Sequence, residues 1–353
     1  MYKCIGRTKL ILIWTVVLAG FAGLFIFSEE CKNGALNGLM LCLGVLIPSL
    51  FPFFILASFL AESHILDSIT SVLNPIAKIL LGLRGICIVP VLMALIGGYP
   101  VGARTVATLY KNKTISSQEA ERLAVICCFA GPGFLVTFVG VSLLMSKESG
   151  IILLLSQIIS GVILCLVSRI IFGKCEPVEE NRITESPSIS GALVSSVNSA
   201  VKSTAGMCGF VIAFSIICAV LTDGFGANNI IGKGVVALLE VTTGVNLLSG
   251  EVSLEILSAL TGFGGICVHL QIFRELKGVS YSKSRFYVFR FIQGAVCLLS
   301  TKLLLLAFPV RDAVFSTATE KPELTFYSGI AGSVALLATS ALFIISTRHR
   351  RKS

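Results

Sequence analysis

The chain has 353 residues, 55% of them hydrophobic and only 13% charged, with a net charge of +9 and a mean hydropathy of +0.91. So small a charged share excludes an ordinary soluble enzyme. So high a hydropathy excludes a disordered chain.

A bilayer-spanning helix needs roughly 20 mostly apolar residues. Such stretches fall near 9–27, 34–61, 86–110, 123–145, 149–173, 193–222, 253–275, 285–308 and 326–346, so the expected fold is an all-α polytopic membrane protein. The first stretch follows Lys3, Arg7 and Lys9 and shows no small-x-small cleavage site before Glu29, which reads as an uncleaved N-terminal transmembrane helix over residues 1–33. Basic residues gather in short connections and at both tips, where membrane topology places them, so the positive balance calls for no nucleic-acid partner. Nine of the twelve cysteines sit in apolar stretches and none forms a CxxC pair, the usage of small packing residues.

The hydrophilic segment 174–192, with its glutamates and prolines, divides the chain. Residues 97–123 and 261–287 align without gaps at an offset of 164, each with a glycine cluster, a short polar-tipped helix and a basic loop. The expectation is therefore two repeats, 34–173 and 193–346, followed by a basic tail over 347–353. Each repeat carries a Gly-interrupted re-entrant helical hairpin, at about 86–110 and about 253–275. Three crossings per half make the repeats inverted, the construction of many secondary transporters. Charge does not fix the orientation, because seven crossings leave one basic tip on the wrong side.

The sharpest motif is Gly97-Gly98-Tyr99-Pro100-Val101-Gly102-Ala103-Arg104 in an apolar run. Pro removes a backbone donor and Gly costs about 1 kcal/mol relative to Ala in a helix, so the helix breaks there. The first N–H groups after the break, with Arg104, would suit an anion, and a charge inside a membrane segment usually has a function. The alternative for Arg104 is a side chain snorkelling to lipid phosphate. In the second half Gly262, Gly264 and Gly265 form the partner break, followed by His269, a substrate or proton-relay group or else a packing residue, and by Gln271.

Gly131-Pro132-Gly133 interrupts another span, with Thr137 one to two turns on, and Lys202 enters the first span of the second half, where it meets an anionic solute or marks the headgroup level. Glu240, Thr242, Thr243 and Asn246 offer oxygens for a coupling Na+ or for a proton, unless Glu240 is a solvated helix-end charge. No HExxH or GxSxG is present, and His64, His269 and His349 lie on unrelated elements, so no catalytic residue, metal or cofactor is expected.

Together PSLFPFFIL (48–56), GGYPVGA (97–103), GPGF (131–134), LEVTTG (239–244) and GFGGICVHLQ (262–271) resemble the sporulation integral membrane proteins of the YlbJ type. These belong to the wider nucleoside-recognition or Gate-domain membrane proteins, which are similar to concentrative nucleoside transporters. The resemblance implies a carrier in the outer forespore membrane that moves dipicolinic acid, a small anionic solute, toward the spore core. Phe129-Ala130 stand where the family often carries polar Asn or Ser side chains, so one alternative is a paralogue moving a nucleoside or another small anion. The rival class is a non-transporting membrane scaffold in spore assembly. The implied partners are the solute, the lipid bilayer, a second copy of the chain or other sporulation membrane proteins.

Overall fold

A computed structural model describes residues 7–62, 66–175 and 189–310. The linker core, the last expected span at 326–346, the basic tail, His64 and His349 lie outside the described residues. Among the described residues all regular structure is helical.

Fourteen α-helices follow in order: α1 Arg7–Ile26, α2 Ser28–Leu41, α3 Ile47–Glu62, α4 Leu66–Leu80, α5 Val89–Gly97, α6 Tyr99–Lys111, α7 Ser117–Ile126, α8 Lys147–Phe172, α9 Ile189–Ala219, α10 Ile230–Leu239, α11 Val241–Leu248, α12 Leu254–Phe263, α13 Gly265–Glu275 and α14 Lys283–Ala307. Wide π turns join α2 to α3 at Cys42–Leu46, extend α9 through Val220–Gly224, and form the stretch Gly133–Leu143. Four segments, Lys147–Phe172, Ile189–Gly224, Leu254–Glu275 and Lys283–Ala307, are long and apolar enough to cross a membrane. Counting each of the bent pairs Ser28–Leu46 with Leu50–Leu60 (58°) and Thr70–Leu80 with Gly85–Gly97 (76°) as one span gives an upper bound of six.

The long helices are inside-out relative to a soluble protein. On α8, Ser156, Gln157, Ser160 and Ser168 are buried, while Leu155, Ile158, Val162, Leu166 and Ile170 face outward. An apolar rim around a polar interior is what lipid selects, because tails provide no hydrogen bonds for Ser or Gln. Ser258 of α12 meets Ser156 of α8 (2.9 Å) and Thr301 of α14 (2.7 Å), and Gln293 donates to Gln157 (3.1 Å), so these three helices are joined by hydroxyls and amides. Small residues let other helices close in: a Cβ at Gly34 or Gly38 of α2 would lie 2.8 Å from backbone atoms of α9.

The first expected hairpin folds back on itself. Gly98 takes φ +90°, open to glycine at little cost, and turns the chain so that a Cβ at Gly102 would lie 2.4 Å from that of Ala94. The second does not. Gly264 and Gly265 both have positive φ, yet α12 and α13 continue as one 22-residue span, Leu254–Glu275. With no proline and with Gly264 left-handed at ψ −8°, where Gly98 has ψ −174°, the break there is taken up without reversal. The second fold-back is α10–α11, turning at Glu240, where a Cβ at Gly244 would lie 2.0 Å from Ala237 Cα.

A partly similar order of elements occurs in the two halves: α2/α3, α5–α6, α7 with Gly133–Leu143, α8; then α9, α10–α11, α12/α13, α14, with α4 standing between α3 and α5 and having no counterpart among the described residues. The gapless offset paired a fold-back with a broken span, because each places a glycine cluster before a short helix, a loop and a serine-capped helix. The caps are Ser116, whose Oγ accepts from Glu119 N, and Ser282, two residues beyond the position the offset pairs with Ser116, whose Oγ accepts from Arg285 N.

Candidate functional site

The breaks meet in one place. A partly open cavity is walled by Leu46, Leu50 and Phe53 before and along α3, by residues 96–100 at the α5–α6 turn, and by Gly131, Gly133 and Phe134 in the broken span. Met207 and Val211 of α9, Glu240, Val241 and Thr242 at the α10–α11 turn, and Val268 and Gln271 of α13 complete it. Of the residues singled out in the sequence, Gly97, Gly98, Tyr99, Pro100, Gly131, Glu240, Thr242 and Gln271 line this cavity.

Backbone touches backbone around it. A Cβ at Gly131 would lie 3.0 Å from Gly98 N, one at Gly265 3.2 Å from Val241 N, and one at Gly264 3.2 Å from the Tyr99 ring. The Tyr99 hydroxyl donates to the carbonyl of Thr261, tying α6 to the end of α12. Gly102 and Gly262 lie behind the wall, against Ala94 and Cys127 and against Cys297, where they serve close packing.

Glu240 is 1% exposed and closes the turn between α10 and α11. Its carboxylate accepts from Thr242 N (3.1 Å) and Thr243 N (2.6 Å), so a negative group caps a positive helix end. Both oxygens are engaged in that cap. Thr243 is not part of the cavity wall and Asn246 is exposed, so of the four expected coupling residues the cavity is lined by Glu240 and Thr242. Among the described residues, no group of three or more His, Cys, Asp or Glu is placed to hold a metal ion.

The expected anion grip is also corrected. Arg104 donates to Ser58 Oγ (3.0 Å), to Glu275 Oε2 (3.1 Å), and to the hydroxyls of Ser199 and Ser203. Its charge is met within the protein, and it does not line the cavity. Lys202 is exposed and contributes only its carbonyl, to Arg274 (2.7 Å). Thr137 is exposed, and Pro132 lies beside the cavity without lining it. His269 is fully buried in a ring cluster of Phe263, Phe286 and Tyr287, with Nε2 2.8 Å from the Phe263 carbonyl; it packs and fastens the α12–α13 break.

Two fully buried arginines were missed. Arg290 donates to the carbonyls of Val125 (2.7 Å) and Cys128 (2.6 Å) and to Gln293 Oε1 (2.5 Å), placing a cation on the carbonyl end of α7 where the chain enters the break at Gly131. Arg122 reaches Ser168 (2.9 Å) and the Leu81 carbonyl after α4. The signal for Arg290 was the same as for Arg104, a charge in an apolar segment.

The apolar rim and the four to six candidate spans define an all-helical integral membrane protein, and residues 43–163 match the Gate family, described as nucleoside recognition. The chain is 26% identical to the sporulation integral membrane protein YlbJ of Bacillus subtilis (strain 168), over 82% of this chain and 82% of that one. No solved structure matches.

Proposed function

We propose that the protein is a carrier that moves a small ring-bearing solute through the cavity at the helix breaks. The observation that carries this reading is the convergence of both fold-back turns and both broken spans on one cavity. Interrupted helices at membrane depth are tolerated where they line a cavity, and their ends offer N–H and C=O groups to a solute. Phe53, Phe134, Met207, Val211 and Val268 suit the faces of a flat ring, while Gln271 and Thr242 suit its polar edge.

Similarity to a sporulation membrane protein makes dipicolinic acid, carried across the outer forespore membrane, the first candidate. A nucleoside is the second, favoured by the Gate match and by one further observation: among the described residues no Lys, Arg or His lines the cavity, and its acidic residue is Glu240. Glu240 is the candidate for proton or Na+ coupling.

On this reading the two partly similar halves are an inverted pair. Treating 253–275 as a crossing puts four crossings between the loop after α6 and the loop after α13, which sets the two loops on one side. Lys111, Lys113, Arg274, Lys277, Lys283 and Arg285 belong to that same side, which the positive-inside rule makes cytoplasmic. Uptake of labelled dipicolinate and of labelled nucleosides into vesicles reconstituted with the protein tests the proposal. Saturable uptake of one and not the other assigns the solute; uptake of neither, with folded protein, refutes the carrier.

A further inference from the structure

The Arg104 cluster occupies a definite level relative to the cavity. Pro100 on α6, Gln271 on α13 and Met207 on α9 line the cavity, and Arg104, Glu275 and Ser203 lie one turn farther on those same helices. Four residues of helix rise about 6 Å, so the three form a layer next to the cavity wall. On α3, Ser58 lies beyond the cavity-lining Phe53 in the same sense.

The layer is closed by hydrogen bonds across all four helices. Besides the bonds of Arg104, Ser203 donates to Glu275 Oε2 (3.0 Å), and Arg274 reaches Glu275 Oε1 (3.4 Å) and the carbonyl of Ser203 (3.3 Å) from outside. Arg274 lies across Gly206 of α9, where a Cβ would meet its guanidinium at 1.5 Å. Burial falls off through the layer: Arg104 is 13% and Glu275 10% exposed, Arg274 is 38% exposed, and Lys202 beyond them is exposed.

We propose that this layer is the gate that closes the cavity on its basic side, with the Arg104–Glu275 ion pair as its bolt. The inference rests on the cavity being the solute path. An ion pair this close to water forms and breaks at modest cost, whereas one sealed in hydrocarbon would stay shut. Its two members come from α6 and α13, whose opening ends form the fold-back turn and the span break, so parting them separates the elements that wall the cavity.

The test is accessibility, which needs no solute. Met207→Cys is placed in the full-length protein, and its modification by a membrane-impermeant thiol reagent added on the basic side is read by mass spectrometry at that residue alone. Glu275→Gln should speed modification at position 207 by about tenfold, the effect of removing some 1.4 kcal/mol of closing free energy. The exchange Arg104→Glu with Glu275→Arg should return the rate toward the parent value. Ser199→Ala, which removes one hydroxyl and leaves the pair intact, serves as a well-folded control with a smaller increase. An unchanged rate in Glu275→Gln, or no recovery in the exchanged pair when both variants show the parent melting profile, overturns the gate. If modification rises as expected and no solute is taken up, the gate stands and the carrier reading fails.

Discussion

Gly244→Ala against Gly234→Ala tests whether the second fold-back is α10–α11. The two changes add the same methyl group to adjoining helices. At Gly244 the new carbon would lie 2.0 Å from Ala237 Cα and 2.3 Å from its Cβ. Carbons pack at about 3.5–4.0 Å, so the arms must part by roughly 1.5 Å, and overpacking of this kind costs about 1–3 kcal/mol. Parting them displaces Glu240 and Thr242 from the cavity wall, so uptake per folded protein should fall together with stability. At Gly234 nothing lies within 4 Å of the added carbon, and replacing a helical glycine there should stabilise by about 0.5–1 kcal/mol. Thermal unfolding in detergent with solute uptake in vesicles reads both. Equal behaviour of the two variants, or a stable and fully active Gly244→Ala, would refute the fold-back at Glu240.

Arg290→Lys keeps the charge but loses the planar fork whose two terminal nitrogens reach the three acceptors, and should cost about 2–3 kcal/mol on the scale of hydrogen bonds to charged groups, read as a lower melting temperature that Lys302→Gln does not reproduce. Glu240→Gln replaces an acceptor oxygen with an amide that cannot accept from Thr243 N; it should lower stability by about 1 kcal/mol and abolish uphill uptake while leaving exchange, and normal uphill uptake would remove Glu240 from coupling. Gln271→Ala should raise the KM for the transported solute about tenfold with an unchanged melting temperature, the loss expected for one polar contact in a dry site; an unchanged KM would take Gln271 out of the site.

Composition made the helical membrane class legible, and the glycine and proline breaks at residues 97–102, 131–133 and 262–265 marked the residues around the cavity, because broken backbone in an apolar run has few other uses. What could not be read was which break reverses the chain. Gly98 and Gly264 both take positive φ, but one ends a hairpin and the other a nearly straight span; the difference lies in ψ and in the helices packed alongside. Arg104 was legible as a buried charge and misread as a ligand, since its partner Glu275 stands 171 positions away. Glu240 was recognised as important without its reason, the free amides of the following turn.

The meeting of Gly98 with Gly131 and of Gly265 with Val241 puts main chain at the seams of the cavity. Main chain is common to every residue, so an exchange of amino acid at a seam can add atoms there but cannot exchange one functional group for another. Drift in what such a protein carries would be steered by the few neighbouring side chains, Phe53, Phe134, Met207 and Gln271, while the seams hold the frame constant. Relatives with different cargoes would then share their glycines and differ at those four positions.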